Sequence, residues 1–282
     1  MTTRKIYISD LDGTLLRNDA TMSGYCRAEL IKLLDAGVNF TIASARSVTS
    51  TKRILAEVPF RLPIIAVNGA YITEFTTGRH LVINAIDKNI VGQIYSQILA
   101  HQCIPFVSSF NGSEDMLYYQ HTVNDGMKWL IEDISEGHGK KLRQTDNIKK
   151  TFNEKIVCMT VIAEYEIVKD LTATIEENFG ESLQTHFFQN PYSPQWYWLT
   201  IHDKKACKAI AIKTLLEMKG FSPDELTVFG DNLNDVNMFK MAGTAIAVEN
   251  ATDEIKQHAD KMIGTNESDS VVKYIAEVEK LS

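Results

Sequence analysis

Two carboxylates separated by one residue, Asp10 and Asp12 in "ISDLDGTLL", close a short apolar run and are followed at once by Gly13 and Thr14. Charges that close repel, and a chain gains nothing from placing them at the end of a buried strand unless something positive sits there. Other reactive groups recur along the chain: Ser44 and Arg46 in "FTIASAR", Lys204, Lys205 and Lys208 in "LTIHDKKACKAIAI", and Asp231, Asn234 and Asp235 in "FGDNLNDVNMF". Brought together, Asp10, Asp12 and Asp231 coexist ionised only around a cation, and hard oxygen donors suit magnesium. A nearby lysine and hydroxyl suit the oxygens of a phosphoryl group. A carboxylate facing that phosphorus can attack it and form an aspartyl phosphate. A second carboxylate two residues away can give a proton to the leaving oxygen and later take one from water. Along an extended turn the side chains alternate, so Asp10 and Asp12 fall on one side and Leu11 on the other.

The elements that must position these groups follow from apolar periodicity. Residues 6–8 form a brief apolar run bounded by the Asp and Gly of a turn, which predicts a buried strand. Cys26, Leu30, Leu33 and Leu34 fall at helical spacing, with Gly37 as a stop. Residues 38–43 predict a second strand and, after a helical stretch and Pro63, residues 64–67 a third that closes on Asn68 and Gly69. The pattern resumes with a helix over 206–219. Ser222, Pro223 and Glu225 fit a capped helical turn, residues 226–230 a strand, and a helix runs on to Ala242. "TAIAV" and "KMI" predict further strands with a helix between them. Alternating strands and helices of this kind define an α/β fold with a doubly wound parallel sheet. Ligands of such sheets bind where the strands end, and four strand ends carry the groups above.

Each piece has a structural alternative. "DLDGT" fits an Asp-rich turn, "GDNLND" a capped strand-to-helix turn and Ser44 an N-cap, while lysines before a helix are commonly solvated. Four compatible groups on one rim of one sheet outweigh these separate explanations. The order "DLDGT", a hydroxyl after "FTIAS", a lysine, then "GDNLND" closely resembles the four motifs of the haloacid dehalogenase superfamily. "SAR" stands where "TGR" is usual, and with "VNGA" and the place of the insert the chain is similar to Cof-type phosphatases carrying a C2-type cap.

The resemblance implies that Asp10 is the nucleophile and Asp12 the general acid and base. It implies magnesium held by Asp10, the Asp12 carbonyl and Asp231, with Asp235 in support behind them. Ser44 and Lys208 would bind the phosphoryl group with backbone amides around Leu11 and Ala45, and Asn234 would lie against the lysine or the phosphate. Lys208 is preferred because Ala211 and Ile212 keep the rest of the lysine motif, with Lys204 and Lys205 as alternatives. The dehalogenase branch lacks the second aspartate, so Asp12 favours phosphoryl transfer over carbon–halogen cleavage. The expected reaction is hydrolysis of a small phosphorylated metabolite, sugar phosphates first. The alternatives are a sugar phosphomutase, or a phosphoacceptor or phosphate-binding module without turnover.

Composition agrees. The chain has 282 residues, an apolar fraction of 44%, a charged fraction of 23% and a net charge of -7, so it can bury a full core and lacks the basic surplus of a nucleic-acid binder. The short cluster Lys140, Lys141 and Arg143 is expected to be a solvated loop. Cys26, Cys103, Cys158 and Cys207 show no metal-like spacing and are expected to be core thiols. No secretory segment or membrane-length apolar run is visible, so a cytoplasmic protein is expected. Residues 83–199 differ in texture, with more aromatics, and are expected to be an inserted α+β cap that sets substrate choice, residues 1–82 and 200–282 forming the catalytic core. "SPQWYWLT" is expected to pack a sheet rather than to stack on a ligand.

Overall fold

The computed structural model describes residues 4–135, 141–190 and 193–281. The chain divides into two compact units, one of Met1–Val82 with Cys207–Ser282, the other Ile83–Ala206.

The first unit is built on a parallel sheet in the order Lys261–Ile263, Thr244–Val248, Leu226–Gly230, Ile6–Ser9, Asn39–Ile42. A bridge from Ala43 to Ile65 brings Ile64–Ala66 alongside the last of these. All four residues of Ile6–Ser9 are buried, as a central strand covered on both faces must be. Ile6 and Ile8 are fully buried, each contributing about 1.5–3 kcal/mol. The helices Gly24–Asp35 and Ser270–Glu279 pack on each other, as do Lys208–Lys219 and Val236–Met241, giving two separate helix pairs for the sheet. The capping box expected at Ser222 and Glu225 is present, and Ser23 caps helix Gly24–Asp35, its Oγ accepting the Cys26 amide at 2.8 Å.

The second unit is a six-stranded sheet in the order Leu183–Gln189, Tyr197–Asp203, Lys155–Ala163, Phe106–Phe110, Asp115–Tyr119, Lys141–Gln144. Every pairing is antiparallel except the last. Helices Lys88–Ala100 and Tyr165–Phe179 cover one face through Val91, Ile94, Val168 and Leu171. Helix Asp125–Asp133 places Met127 on the other face, among Phe106, Leu117 and Ile162. Trp196 and Trp198 join that second cluster, whereas Tyr197 points to the first. Alternation along the strand thus makes the aromatic run a packing element, with Trp129 and Trp198 in edge contact at 6.1 Å.

Three local expectations change. Lys141 and Arg143 lie on an edge strand, Lys141–Gln144, not a loop, because residues 116–119 offer it a free edge to pair with; Lys140 lies outside the described residues. Cys207 is only partly buried, unlike the other three cysteines, because it sits just ahead of a helix start and not within a strand or helix face. The expected boundary at 199/200 falls inside strand Tyr197–Asp203, whose pairing with Leu183–Gln189 continues to Asp203. Among the described residues, no helix is long and apolar enough to cross a membrane.

Candidate active site

Strand register assembles the site. Ser9 pairs with Ile42 on one side and Phe229 on the other, so the residues that follow these partners leave the sheet at one level. Those residues carry Asp10, Ser44 and Asp231. The Asp10 amide still donates to Phe229 O at 2.9 Å, which fixes the point where the first strand turns away. Gly13, at φ 74, makes that turn possible: a Cβ there would stand 2.5 Å from Asp231 Oδ2, so any side chain would displace the carboxylate.

Lys208, the first residue of helix Lys208–Lys219, reaches back into this cluster. Its Nζ donates to Asp10 Oδ1 at 2.7 Å and to Asp235 Oδ1 at 2.7 Å, with only 1% of its side chain exposed. Lys204 and Lys205 belong to the other unit and are exposed. The lysine that meets the carboxylates is therefore Lys208. It is met by Asp235; Asn234 is exposed and makes no hydrogen bond to it. Asp235 is fully buried, and its second oxygen accepts the amides of Asp231 at 3.2 Å and Asn232 at 3.3 Å. The short helical turn Leu233–Asp235 explains the swap: it turns Asp235 inward and leaves Asn234 on the outside.

Ser44 is buried and is fixed by its backbone, with its amide on Ile65 O at 3.0 Å. Its hydroxyl accepts the Arg46 amide at 3.1 Å. Leu11 is buried, and Ala45 exposed. Asp12 is held in a two-pronged ion pair: Arg46 Nη2 donates to Oδ1 at 2.6 Å and Nε to Oδ2 at 2.7 Å. Sequence placed Arg46 at the strand end but gave it no partner. Thr14 is a second omission, its hydroxyl donating to Asp231 Oδ1 at 2.8 Å. Its signal was its place in "DLDGT"; what it touches could not be read locally.

Asp10, Asp231 and Asp235 each present a carboxylate oxygen, all within 4.8 Å of one another. Burial pushes Asp10 up to about 8, with Asp235 and Asp231 adding to the effect and Lys208 opposing it. Burial likewise raises Asp231 to about 6, against the Thr14 hydrogen bond. For Lys208 burial works to lower the value, but Asp10 and Asp235 together raise it. One lysine thus faces three carboxylates, a charge balance that a divalent cation would complete. The donors are all hard oxygens, which fit magnesium. Since both Asp235 oxygens already accept hydrogen bonds, Asp10 and Asp231 are the carboxylates with ligand capacity to spare.

A pH dependence follows. Asp10 and Asp231 start from an ordinary value of 3.8 and are raised in the folded chain to about 8 and about 6. The folded state then binds more protons than the unfolded one across that window, so metal-free stability falls as pH rises through it. Magnesium, binding only the folded cluster, should restore the loss at the alkaline end. Thermal melts near the two ends of the window, with chelator and with magnesium, read both effects; a metal-free melting temperature that climbs with pH and ignores magnesium would contradict them.

This chain belongs to the haloacid dehalogenase-like hydrolase family, whose model matches residues 7–275. Among similar proteins, the 5-amino-6-(5-phospho-D-ribitylamino)uracil phosphatase of Bacillus subtilis is 24% identical over 275 residues, covering 95% of each chain. The pyridoxal phosphate phosphatase of Escherichia coli is 23% identical over 281 residues, covering 98% of each. A subclass IIB sugar phosphatase of the superfamily, of known structure, shares the fold with a TM-score of 0.73 at 19% identity, over 98% of this chain and 99% of that one.

Proposed function

We propose that this chain is a magnesium-dependent phosphatase that hydrolyses a small phosphorylated metabolite through an aspartyl phosphate on Asp10. The observation that carries it is Lys208, held at 2.7 Å from both Asp10 and Asp235 at the rim where the strand ends meet. Asp10 attacks phosphorus, and the bond from phosphorus to the ester oxygen breaks. Asp12 gives the departing oxygen its proton, then takes one from the water that attacks the phosphoenzyme and releases phosphate. Ser44, Lys208 and the amides around Leu11 and Ala45 hold the phosphoryl oxygens, with Asn234 on their open side. Asp10, Asp231 and the Asp12 carbonyl, supported by Asp235, would hold magnesium, which would supply positive charge against the phosphate. Arg46 pairs with both oxygens of the ionised Asp12, so at least one of them has to leave the pair and take up a proton before Asp12 can act as the acid.

Choice of leaving group is assigned to the inserted unit, and sugar phosphates come first in the panel. The named relatives act on a ribityl phosphate and on pyridoxal phosphate, so those two follow. Phosphate release with magnesium, matched to loss of the monoester without an isomerised product, tests hydrolysis. Asp12→Ala should slow steady-state turnover about 10²–10⁴-fold, yet still form the phosphoenzyme from an activated ester whose leaving group needs no proton, as read by intact mass. No release from any monoester by the unaltered protein would sink the assignment.

A further inference from the structure

The "VNGA" turn after strand Ile64–Ala66 takes no part in the chemistry above, yet three successive residues in it are left-handed: Val67 at φ 52, Asn68 at φ 52 and Gly69 at φ 100. A β-branched residue rarely adopts that conformation, and it persists only where the surroundings impose it. On one side the Val67 amide donates to Arg46 O at 3.0 Å and the Asn68 amide to Ser44 O at 3.0 Å. On the other side Gly69 lies against the peptide of Cys207, where a Cβ would stand 2.6 Å from the carbonyl oxygen and 2.8 Å from its carbon. That same carbonyl accepts the Ala211 amide at 3.0 Å and so opens the helix that carries Lys208. The Asn68 side chain is not what holds the turn, since its buried Oδ1 has no hydrogen-bond partner among the described residues.

We propose that Val67–Gly69 is a positioning element that sets the spacing between the Ser44 hydroxyl and the Lys208 ammonium, through backbone contact with the segments that carry them. Ser44 and Lys208 come from distant parts of the chain; strand Ile6–Ser9 and Asp10 join their segments on one side, and the turn joins them through backbone contact with both. Gly69 is the residue on which the spacing depends, because only a missing side chain lets the turn rest on Cys207. This role depends on the phosphoryl-binding assignment of Ser44 and Lys208 made above.

Two quantities test it, kcat on the best monoester and the Kd for inorganic phosphate with magnesium. In folded Gly69→Ala, kcat should fall about 10- to 100-fold, as a misplacement near 1 Å does, and the phosphate Kd should rise about threefold or more. Wild-type values for both would overturn the proposal. A second pair of variants separates backbone from side chain and serves equally if Gly69→Ala does not fold. Asn68→Ala disfavours the left-handed conformation, whereas Asn68→Gly permits it, and both remove the same side chain. Asn68→Gly should recover kcat by about threefold or more over Asn68→Ala; equal values in the two would overturn the proposal. Unaltered protein that binds phosphate but hydrolyses nothing would defeat the phosphatase assignment alone, the turn then being judged on phosphate Kd. Protein that binds no phosphate would defeat both.

Discussion

Asp10→Asn is expected to abolish turnover, lowering kcat by about 10⁴-fold or more, because an amide oxygen cannot form or release the acyl phosphate. No phosphoenzyme should appear by intact mass, which separates this variant from Asp12→Ala. Above about pH 8, where Asp10 is ionised, the same substitution should raise the melting temperature of the metal-free protein by a few degrees. Two buried carboxylates, Asp10 and Asp235, share the single Lys208; with an amide in place of the first, Lys208 and Asp235 form a balanced pair while the amide oxygen still accepts from Nζ. Stability given up for a charged site is the usual cost of such chemistry. Magnesium should then stabilise this variant less than the unaltered protein, since one of its carboxylate ligands is gone. Turnover in Asp10→Asn comparable to the parent would remove the nucleophile from the scheme.

Lys208→Met is expected to damage both properties. Methionine keeps much of the lysine stem but leaves Asp10 and Asp235 facing each other without a counter-charge, their side chains 8% and 0% exposed. Breaking a buried pair in this way costs about 3–5 kcal/mol. Urea melts near neutral pH with chelator should show the loss, and acidification, which protonates the stranded carboxylates, should recover part of it. With magnesium present and the fold restored, kcat should remain about 10²–10³-fold down, the loss expected when one donor to the transferring group is removed. A variant as stable and as active as its parent would leave Lys208 without the role given to it. The opposite signs of the two stability effects follow from one charge count, so measuring both checks the count itself.

The strands and their ends were legible because each is a local signal. Ile6–Ser9, Asn39–Ile42 and Leu226–Gly230 are short β-forming runs closed by Asp, Ser or Gly turns, and a turn residue acts on its own neighbours. "DLDGT" and "GDNLND" could therefore be recognised from residues a few positions apart. The change of texture over residues 83–199 was visible, but the expected break at 199/200 falls inside a strand, because Tyr197–Asp203 runs on until Asp203 pairs with Leu183, the first residue of its partner Leu183–Gln189.

Contacts between segments far apart in the chain were another matter. Sequence preferred Lys208 and kept Lys204 and Lys205 as alternatives; only the structure places Lys208, the first residue of its helix, within 2.7 Å of two carboxylates. Sequence placed Asn234 against the lysine or the phosphate, and at the lysine a single helical turn puts Asp235 instead. It gave Arg46 no partner, because the pairing with Asp12 exists only once the first two strands lie side by side. "VNGA" looked like one more strand-end turn, since nothing in it announces that Gly69 must lie against Cys207. By itself, then, the sequence determined which chemical groups stand at the strand ends, because local periodicity and turn chemistry suffice for that. The tertiary structure alone decided which of those groups touch, because register and close approach are set by segments that meet only when the sheet has formed.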